Sequence, residues 1–354
     1  MWAASAAYGG VTAARRALYG LGFFKRRRLG AKVICIGNLT AGGSGKTPAV
    51  LLAAQTLRKR GHQTAILTRG YGAAPKKKAG KGGRVLALLE DGEVPWTECG
   101  DEPWMMQHCL RGLGVPVLVC PDRLKAGVEA LTYYHSEVLI LDDGFQHMGL
   151  HRDLDIVMIN ARDPFGGERL LPAGDLREPL RELGRAHLIV VTHSDEIPAK
   201  QLEALRGRFK AMAPGAAVIE SAHRPDFLLD LRTRKKSDPE ILKGLEAASF
   251  SGIAKPEQFE AMLQRLGADL AHRWRFPDHH PFTLAELRSI QNARLGRAGG
   301  DENKLPALVT TFKDAPRLPE GWEKILTGSV LALGIKLEIL KGKNAWNDAL
   351  LAGL

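Results

Sequence analysis

Residues 40–47 form the segment that constrains this fold most: Thr-Ala-Gly-Gly-Ser-Gly-Lys-Thr. An apolar run over residues 32–36 precedes the segment, and a helical pattern over 45–60 follows it. In a strand–loop–helix unit of this kind, the glycine-rich loop turns its backbone N–H groups towards phosphates, and the helix N-terminus adds its dipole. The segment therefore predicts a phosphate loop (P-loop) that holds a nucleoside triphosphate.

The generic P-loop pattern has glycine at its first position, where this chain has Thr40. A glycine-rich turn that happens to precede a lysine is the alternative, and the flanking strand and helix favour the phosphate site. In the P-loop interpretation, Lys46 bridges the outer phosphates and Thr47 supplies a Mg²⁺ ligand. The predicted nucleotide-binding residues are Thr40, Ala41, Gly42, Gly43, Ser44, Gly45, Lys46 and Thr47.

A second apolar run, residues 138–141, ends in Asp142 and Asp143. A carboxylate at the tip of a buried strand is the expected Mg²⁺ ligand beside a P-loop. A simple turn at a strand end is the alternative, and the nearby P-loop favours the metal interpretation. The metal ligands are therefore predicted to be Thr47 with Asp142 or Asp143, and the sequence does not decide which aspartate binds directly.

Short apolar runs alternate with helical patterns through the first two thirds of the chain, which is typical of a parallel sheet with crossover helices. The predicted fold class is α/β: a P-loop NTPase fold with a mostly parallel sheet flanked by helices, plus a smaller C-terminal α/β domain. The predicted strands are 32–36, 64–68, 84–89, 115–120, 137–141, 154–159, 187–192 and 305–311. The predicted helices are 45–60, 101–113, 123–135 and 256–266.

The length of 354 residues also indicates more than one domain. We expect an N-terminal membrane-associating helix over 1–29, a P-loop kinase domain over 30–218, a linker or hairpin over 219–245 and a smaller domain over 246–354. Turn and charge signals crowd together in the proposed linker. The tail after about residue 320 carries no recognisable motif.

The net charge of +11 indicates a surface that attracts anions. Basic residues at 15, 16 and 25–28 lie among aromatic and aliphatic residues, a combination typical of a helix at an anionic membrane surface. A helix that packs on its own domain and keeps a solvated basic edge is the alternative. A second basic, glycine-rich group over 76–84 predicts a mobile solvated loop.

The sequence also disfavours several classes of protein. No apolar run approaches the roughly 18 residues of a membrane-spanning helix. The four cysteines include no Cys-x-x-Cys pair and fit a reducing compartment. A GTPase is disfavoured because no Asn-Lys-x-Asp motif is present, and a nucleic-acid-binding ATPase because the basic residues follow no nucleic-acid-binding pattern, so no nucleic-acid partner is expected.

Several segments together resemble the tetraacyldisaccharide 4′-kinase family of lipid A synthesis, and they occur in family order between about residues 30 and 318. They include the P-loop with its non-glycine first position. The others are Thr68-Arg69-Gly70-Tyr71-Gly72, Gly100-Asp101-Glu102-Pro103, Asp142-Asp143-Gly144-Phe145-Gln146-His147, residues 171–179, Phe276-Pro277-Asp278-His279-His280 and Thr310-Thr311-Phe312-Lys313-Asp314. Phe312 departs from the family, which typically has glutamate there.

The resemblance implies ATP- and Mg²⁺-dependent phosphorylation of the 4′-hydroxyl of a tetraacylated glucosamine disaccharide 1-phosphate. It implies a peripheral location at the cytoplasmic face of the bacterial inner membrane, which favours the membrane interpretation of residues 1–29. The expected partners are the lipid disaccharide and an anionic membrane surface, and a monomer is expected.

The resemblance also implies site residues. Asp101 matches the proposed base, His279 matches the histidine that pairs with it, and Lys46 completes the catalytic set. From the sequence alone, Asp101 is an ordinary helix N-cap, and the pair at 279–280 is a solvated loop or a metal pair. Residues matched near the substrate or nucleotide are Gln146, His147, Arg177 and Glu178; the last two are equally consistent with a surface ion pair. A base and its partner from different domains imply closure about the linker.

Overall fold

The computed structural model describes residues 1–70, 84–90, 92 and 94–354, and the strands in these residues form one 13-stranded sheet. In chain order the helices and strands are α1 (Trp2–Gly20), β1 (Lys32–Gly37), α2 (Lys46–Lys59), β2 (Thr64–Thr68), β3 (Leu86–Leu88), α3 (Trp96–Cys99), α4 (Asp101–Cys109), β4 (Val117–Val119), α5 (Arg123–Tyr134), β5 (Val138–Asp142), β6 (Leu154–Asn160), β7 (Leu188–Thr192), α6 (Ala199–Met212), β8 (Ala217–Asp230), β9 (Lys236–Ser237), β10 (Glu246–Ser251), α7 (Pro256–Arg265), β11 (Asp269–Arg275), α8 (Leu284–Arg297), β12 (Ala307–Thr311), β13 (Val330–Lys341) and α9 (Lys343–Leu351).

The centre of the sheet is parallel, with β1 between β5 and β6. The sequences of these strands are almost continuously apolar because helices cover both faces of the sheet. Buried residues of α2 and α9 pack on one face, and those of α5 and α6 pack on the other. The predicted α/β class with a mostly parallel, helix-flanked sheet is confirmed.

Parallel strands bring their carboxyl ends to one edge of the sheet. Ile36 in β1 lies opposite Asp142 in β5, and β2 pairs with β5 on its other side. The P-loop leaves β1 at this edge, so the loop and the aspartates that end β5 are neighbours. This edge is where ligands bind in open α/β sheets.

The second part of the chain continues the same sheet. Strands β11, β10, β12 and β13 are parallel, and β13 pairs antiparallel with β8 from Leu331 opposite Asp230 to Lys341 opposite Glu220. Strand β9 adds a short hairpin to β8. The β8–β13 ladder therefore joins the P-loop part of the chain to the part after residue 246. The domain boundaries stay a prediction.

The tail after residue 320 forms part of the core, although its sequence carries no motif. Strand β13 lies inside the sheet, and Trp346 and Leu350 of α9 are buried in the core that contains α2. The Lys32 ammonium donates to the carbonyls of Ala349, Leu350 and Ala352 at distances of 3.1, 2.7 and 2.5 Å. These bonds satisfy carbonyls that the end of a helix leaves unpaired.

Helix α1 contacts the rest of the protein along one side. Ser5 Oγ donates to the Leu170 carbonyl at 2.8 Å, Tyr8 Oη donates to the Arg177 carbonyl at 3.0 Å, and Arg16 pairs with Glu182 at 3.1 Å. No residue of α1 is buried. Large apolar residues of this region are exposed: Met1, Trp2, Val11, Leu21, Phe23 and Phe24. Among the described residues, no helix is both long and apolar enough to cross a membrane.

Other elements differ slightly from the predictions. The helix predicted over 101–113 ends at Cys109, and the strands predicted over 84–89 and 115–120 shorten to Leu86–Leu88 and Val117–Val119. The predicted basic loop, apart from Arg84, lies outside the described residues, as do residues 71 and 72 of the second motif.

Candidate active site

The P-loop turns into α2 at Gly45, whose φ of 80° lies in the left-handed region that favours glycine. A Cβ at this position would lie 2.5 Å from Nε2 of His223. No side chain caps the start of α2. The N–H groups of its first turn therefore stay available for an anion, which is how a helix N-terminus binds phosphate.

A neighbouring segment braces the outer side of the P-loop. The Ala41 amide donates to the Asp175 carbonyl and the Arg177 amide donates to the Leu39 carbonyl, both at 2.7 Å. Thr40 pairs with the strand-like residue Leu176 between these bonds. The first P-loop position thus belongs to a short ladder, in which an extended, β-branched residue fits better than glycine.

Lys46 points along the loop towards two acceptors. Its Nζ lies 3.3 Å from Asn38 Oδ1 and 3.6 Å from Asp143 Oδ1. Asp143 also accepts two hydrogen bonds from Nη1 of Arg177, at 2.8 and 2.9 Å. Burial alone would raise the pKa of Asp143, but Lys46 and Arg177 outweigh it and hold the pKa below its usual value. Asp143 is therefore charged and already paired with cations.

Asp142 lies in a different environment. It is 4% exposed, and Oδ2 accepts a hydrogen bond from Thr68 Oγ1 at 2.9 Å. Its other oxygen, Oδ1, is buried with no hydrogen-bond partner among the described residues. Burial raises the pKa of Asp142 to about 7, with further contributions from the negative charges of Glu102 and Asp143.

A buried carboxylate oxygen without a donor is costly unless a cation or proton satisfies it. Asp142 and the P-loop threonine, Thr47, line the same cleft, and Thr47 is the second residue of α2, directly after Lys46. Carboxylate and hydroxyl oxygens are the ligands that Mg²⁺ takes, together with phosphate oxygens. The residues present fit Mg²⁺, and the aspartate with a free oxygen is Asp142.

Asp101 and His279 are in contact although 178 residues separate them in sequence. His279 Nδ1 lies 2.8 Å from Asp101 Oδ2, and the Glu102 amide donates to Asp101 Oδ1 at 2.9 Å. Asp101 is the first residue of α4, and Gly100 is the N-cap, so the interpretation of Asp101 as an N-cap is wrong. Because Asp101 is 2% exposed and His279 is 28% exposed, the imidazole is the member of the pair that reaches the cleft.

A buried arginine that the sequence did not single out holds this pair in place. Arg317 is 1% exposed, and its Nη1 donates to the Gly252 carbonyl at 3.0 Å, while Nη2 donates to Asp314 Oδ1 at 2.6 Å. Its Nε lies 3.5 Å from Asp101 Oδ2. An arginine three residues beyond a recognised motif gives no local signal of burial, because two of its partners, Gly252 and Asp101, lie far away in sequence.

The groups around Asp101 keep it ionised. Burial alone would raise its pKa, but the hydrogen bond with His279 and the charges of Lys313, His279 and Arg317 outweigh burial, so its pKa lies below the usual value. A charged Asp101 accepts a hydrogen bond from the Nδ1–H group of His279. That hydrogen bond leaves Nε2 of a neutral imidazole with its lone pair directed away from Asp101.

The other predicted residues divide into two groups. Gln146, His147 and Arg177 line the cleft. Glu178 is 4% exposed and pairs with Arg185 at 2.5 Å, so it does not form an ion pair with Arg177. Burial lowers the pKa of His147 to about 4, with help from nearby arginines, and this histidine is neutral at physiological pH.

The cleft has a volume of about 970 Å³ and lies between the P-loop edge and the loops of the second part of the chain. Its walls include Lys46, Asp142, His279 and Lys313, together with Tyr8 and Arg15 of α1. A phosphate loop, a buried carboxylate that fits Mg²⁺ and a carboxylate–imidazole pair at one cleft are the site of a P-loop phosphotransferase.

Comparisons with known proteins give the family. The whole chain, residues 1–354, matches the family model described as tetraacyldisaccharide-1-P 4'-kinase. The chain is 41% identical over 336 residues to a tetraacyldisaccharide 4'-kinase of Elusimicrobium minutum, covering 95% of this chain and 86% of that protein. It is 40% identical over 351 residues to the protein of the same name in Anaeromyxobacter dehalogenans, covering 99% and 89%.

A crystal structure of LpxK from Aquifex aeolicus in complex with ATP superposes on this chain with a TM-score of 0.73 and 32% sequence identity. The match covers 98% of this chain and 96% of that one. The chain therefore belongs to the tetraacyldisaccharide-1-phosphate 4′-kinase family, and the predicted P-loop kinase fold is confirmed.

The unsatisfied Asp142 generates a prediction about stability without Mg²⁺. Asp142→Asn should raise the melting temperature at about pH 8 and have much less effect at about pH 5. The folded-state pKa of about 7 lies above the ordinary value of 3.8, so the carboxyl group loses its stabilising contribution as pH rises through 7. Replacing the carboxyl with a neutral amide removes that loss.

Thermal unfolding in buffer with a chelator, at both pH values, measures the difference. Asp143→Asn is the matched control and should lower the melting temperature, because it breaks contacts with Lys46 and Arg177. A melting temperature for Asp142→Asn at or below that of the wild type at about pH 8 would contradict the burial of an unsatisfied charge.

Proposed function

We propose that the chain transfers the γ-phosphoryl group of ATP to the 4′-hydroxyl of a tetraacyldisaccharide 1-phosphate. The observation that carries the proposal is the Asp101–His279 pair, which faces the same cleft as the P-loop lysine. The names of the relatives support the acceptor, and the ATP complex of the Aquifex aeolicus protein supports the donor.

The triphosphate lies against the P-loop, where the amides of residues 41–47 and the start of α2 bind its oxygens. Lys46 then exchanges its contact with Asp143 for the outer phosphates, and Asp143 keeps its two hydrogen bonds from Arg177. Arg177 thus holds Asp143 in place when Lys46 leaves it.

Asp142 and Thr47 would hold Mg²⁺ next to the phosphates. Mg²⁺ neutralises charge on the phosphate oxygens when it is bound. Thr68 fixes the Asp142 carboxylate by hydrogen bonding to Oδ2, which leaves Oδ1 for the cation. The direct ligand is therefore Asp142, and Asp143 serves the lysine and the arginine.

His279 Nε2 takes the proton of the acceptor hydroxyl, and Asp101 fixes the tautomer and orientation of the ring. The family resemblance implied that Asp101 is the base. The proposal assigns the proton-accepting atom to His279 because Asp101 is 2% exposed and does not line the cleft. Asp101 then stabilises the imidazolium that forms, as a carboxylate does for a catalytic histidine elsewhere.

Helix α1 is proposed to bind an anionic membrane surface on the cytoplasmic face of the inner membrane. The exposed residues Leu21 and Phe23 follow the helix, and the basic run 25–28 follows them. Apolar side chains next to basic ones bind the interface of an anionic bilayer. Tyr8 and Arg15 of α1 line the cleft, so this surface lies next to the place where a lipid acceptor would enter. The protein acts as a peripheral monomer.

Product formation tests the activity. The protein, ATP and Mg²⁺ incubated with a tetraacyldisaccharide 1-phosphate in detergent should give the bisphosphate, detected by mass spectrometry. His279→Ala should lower kcat by about 10²–10⁴-fold with little change in ATP affinity, because proton transfer by a positioned side chain contributes that factor.

His280→Ala is the control for the neighbouring histidine. His280 contacts Glu286 at 3.0 Å, away from Asp101, and its replacement should leave kcat within about tenfold of the wild-type value. Equal losses in the two variants would remove His279 as the base, and no bisphosphate with the wild type would remove the proposed acceptor.

Vesicle binding tests the membrane surface. The double variant Leu21→Ser, Phe23→Ser should bind vesicles of phosphatidylglycerol and phosphatidylcholine at least about tenfold more weakly than the wild type, since two large apolar side chains no longer enter the interface. The matched control, Val128→Ser with Tyr133→Ser, removes two exposed apolar residues of α5 and should not change binding. Equal binding by both variants would place the membrane surface elsewhere.

A further inference from the structure

Lys313 lies beside His279 at the cleft, and the proposed mechanism does not use its ammonium group. Its Nζ is 3.2 Å from Glu102 Oε1, 3.4 Å from His279 Nε2 and 4.0 Å from Asp278 Oδ1. The side chain is 24% exposed and lines the cleft. It therefore touches the same imidazole nitrogen that the proposed function uses to take the proton.

The position of Lys313 is fixed by its neighbours in sequence. Phe312 is 4% exposed and packs between Trp104 and Phe227, with ring centroids 5.7 and 5.1 Å away. On the other side, Asp314 Oδ1 accepts hydrogen bonds from the Gly252 amide at 3.0 Å and from Arg317 at 2.6 Å. The backbone of Lys313 is therefore held by buried contacts, unlike that of an ordinary surface lysine.

The charges around Lys313 keep it protonated. Burial alone would lower its pKa, but the carboxylates of Glu102, Asp101 and Asp278 outweigh burial and raise the pKa above its usual value. A protonated amine has three donors and no lone pair. The contact with His279 is therefore a hydrogen bond from Nζ to the Nε2 lone pair.

That hydrogen bond covers the lone pair that must receive the proton of the acceptor. When the acceptor hydroxyl takes its place beside Nε2, the ammonium must find another partner. The hydroxyl oxygen lies about 3 Å from the base nitrogen and about 3 Å from the γ-phosphorus in a reactive geometry. The anionic γ-phosphoryl oxygens are then the nearest new acceptors for a lysine side chain that starts at this point.

We propose that Lys313 is a catalytic residue whose ammonium moves from His279 and Glu102 to an oxygen of the transferring phosphoryl group. The inference rests on the proposed function. It gives the phosphoryl group a cation from the second part of the chain, in addition to Lys46 on the P-loop, which lines the same cleft. When the γ-phosphate of the donor arrives, Lys313 thus moves to it and uncovers the Nε2 lone pair of His279, which then takes the proton.

The 4′-oxygen forms a bond to the γ-phosphorus, and the bond from that phosphorus to the β,γ-bridging oxygen breaks. The electron pair of the broken bond stays on ADP, and the 4′-hydroxyl proton moves to His279 Nε2. Lys313 neutralises charge on the phosphoryl oxygens and neither gives nor takes a proton.

Steady-state kinetics of Lys313→Met and Lys313→Arg test the role. In the acceptor assay, Lys313→Met should lower kcat by about 10²–10³-fold and leave the KM for ATP within about threefold, because a cation aimed at transition-state charge contributes that factor. Lys313→Arg should restore kcat to within about tenfold of the wild type. Lys336→Met, which removes an exposed lysine paired with Asp226 at 3.1 Å, should behave as the wild type.

The results separate the inference from the proposed function. Bisphosphate from the wild type together with a kcat for Lys313→Met within about threefold of wild type overturns the role of Lys313 alone. A Lys313→Arg variant as slow as Lys313→Met also overturns it. No bisphosphate from the wild type overturns the proposed function and this inference with it. If Lys313→Met melts well below the wild type, Lys313→Gln, which keeps a donor towards Glu102, makes the same comparison.

Discussion

The hydrogen bond between Asp101 and His279 is the contact on which the site depends. Its two partners lie 178 residues apart and belong to parts of the chain on either side of the β8–β13 ladder. The bond forms only if the sheet holds the start of α4 and the loop before α8 at a fixed separation. Arg317 strengthens this constraint because it contacts Asp101 and the Gly252 carbonyl together. The long shared sheet is thus a requirement of the chemistry.

The same cleft contains charged side chains whose burial does not favour folding. Asp142 is buried with one oxygen unsatisfied, whereas Asp143, next in sequence, is paired with Lys46 and Arg177. Adjacent carboxylates with opposite pKa shifts fit the proposed division of tasks, with Asp142 for the cation and Asp143 for the P-loop lysine. Departures of this kind from best packing are expected at functional sites.

Sequence patterns predicted the parts of the protein whose residues are contiguous in the chain. The strand, glycine loop and helix around Lys46 are contiguous, and the apolar run before Asp142 reports a buried strand directly. The Asp101–His279 pair came from a family resemblance, since neither residue carries a local signal beyond a helix start or a histidine pair. The structure shows that Thr40 belongs to a ladder with Leu176, which no local pattern contains.

The parts that the sequence missed depend on distant partners. Strand β13 and helix α9 carry no recognisable motif. The place of β13 in the fold depends on its pairing with β8, and that of α9 depends on its packing in the core that contains α2. The buried Arg317 and the cleft-facing position of Lys313 are likewise set by residues far away in sequence. Burial also distinguishes the two members of the pair, since only the structure shows that His279, and not Asp101, reaches the cleft.

A double-mutant cycle between Asp101 and His279 tests the central claim most directly. The variants Asp101→Asn, His279→Ala and their combination are compared by kcat/KM in the acceptor assay, with melting temperatures as a check on folding. If the two side chains act as one unit, the double variant is about as slow as the slower single variant. Losses that multiply in the double variant would contradict the account, because the carboxylate and the imidazole would then contribute independently.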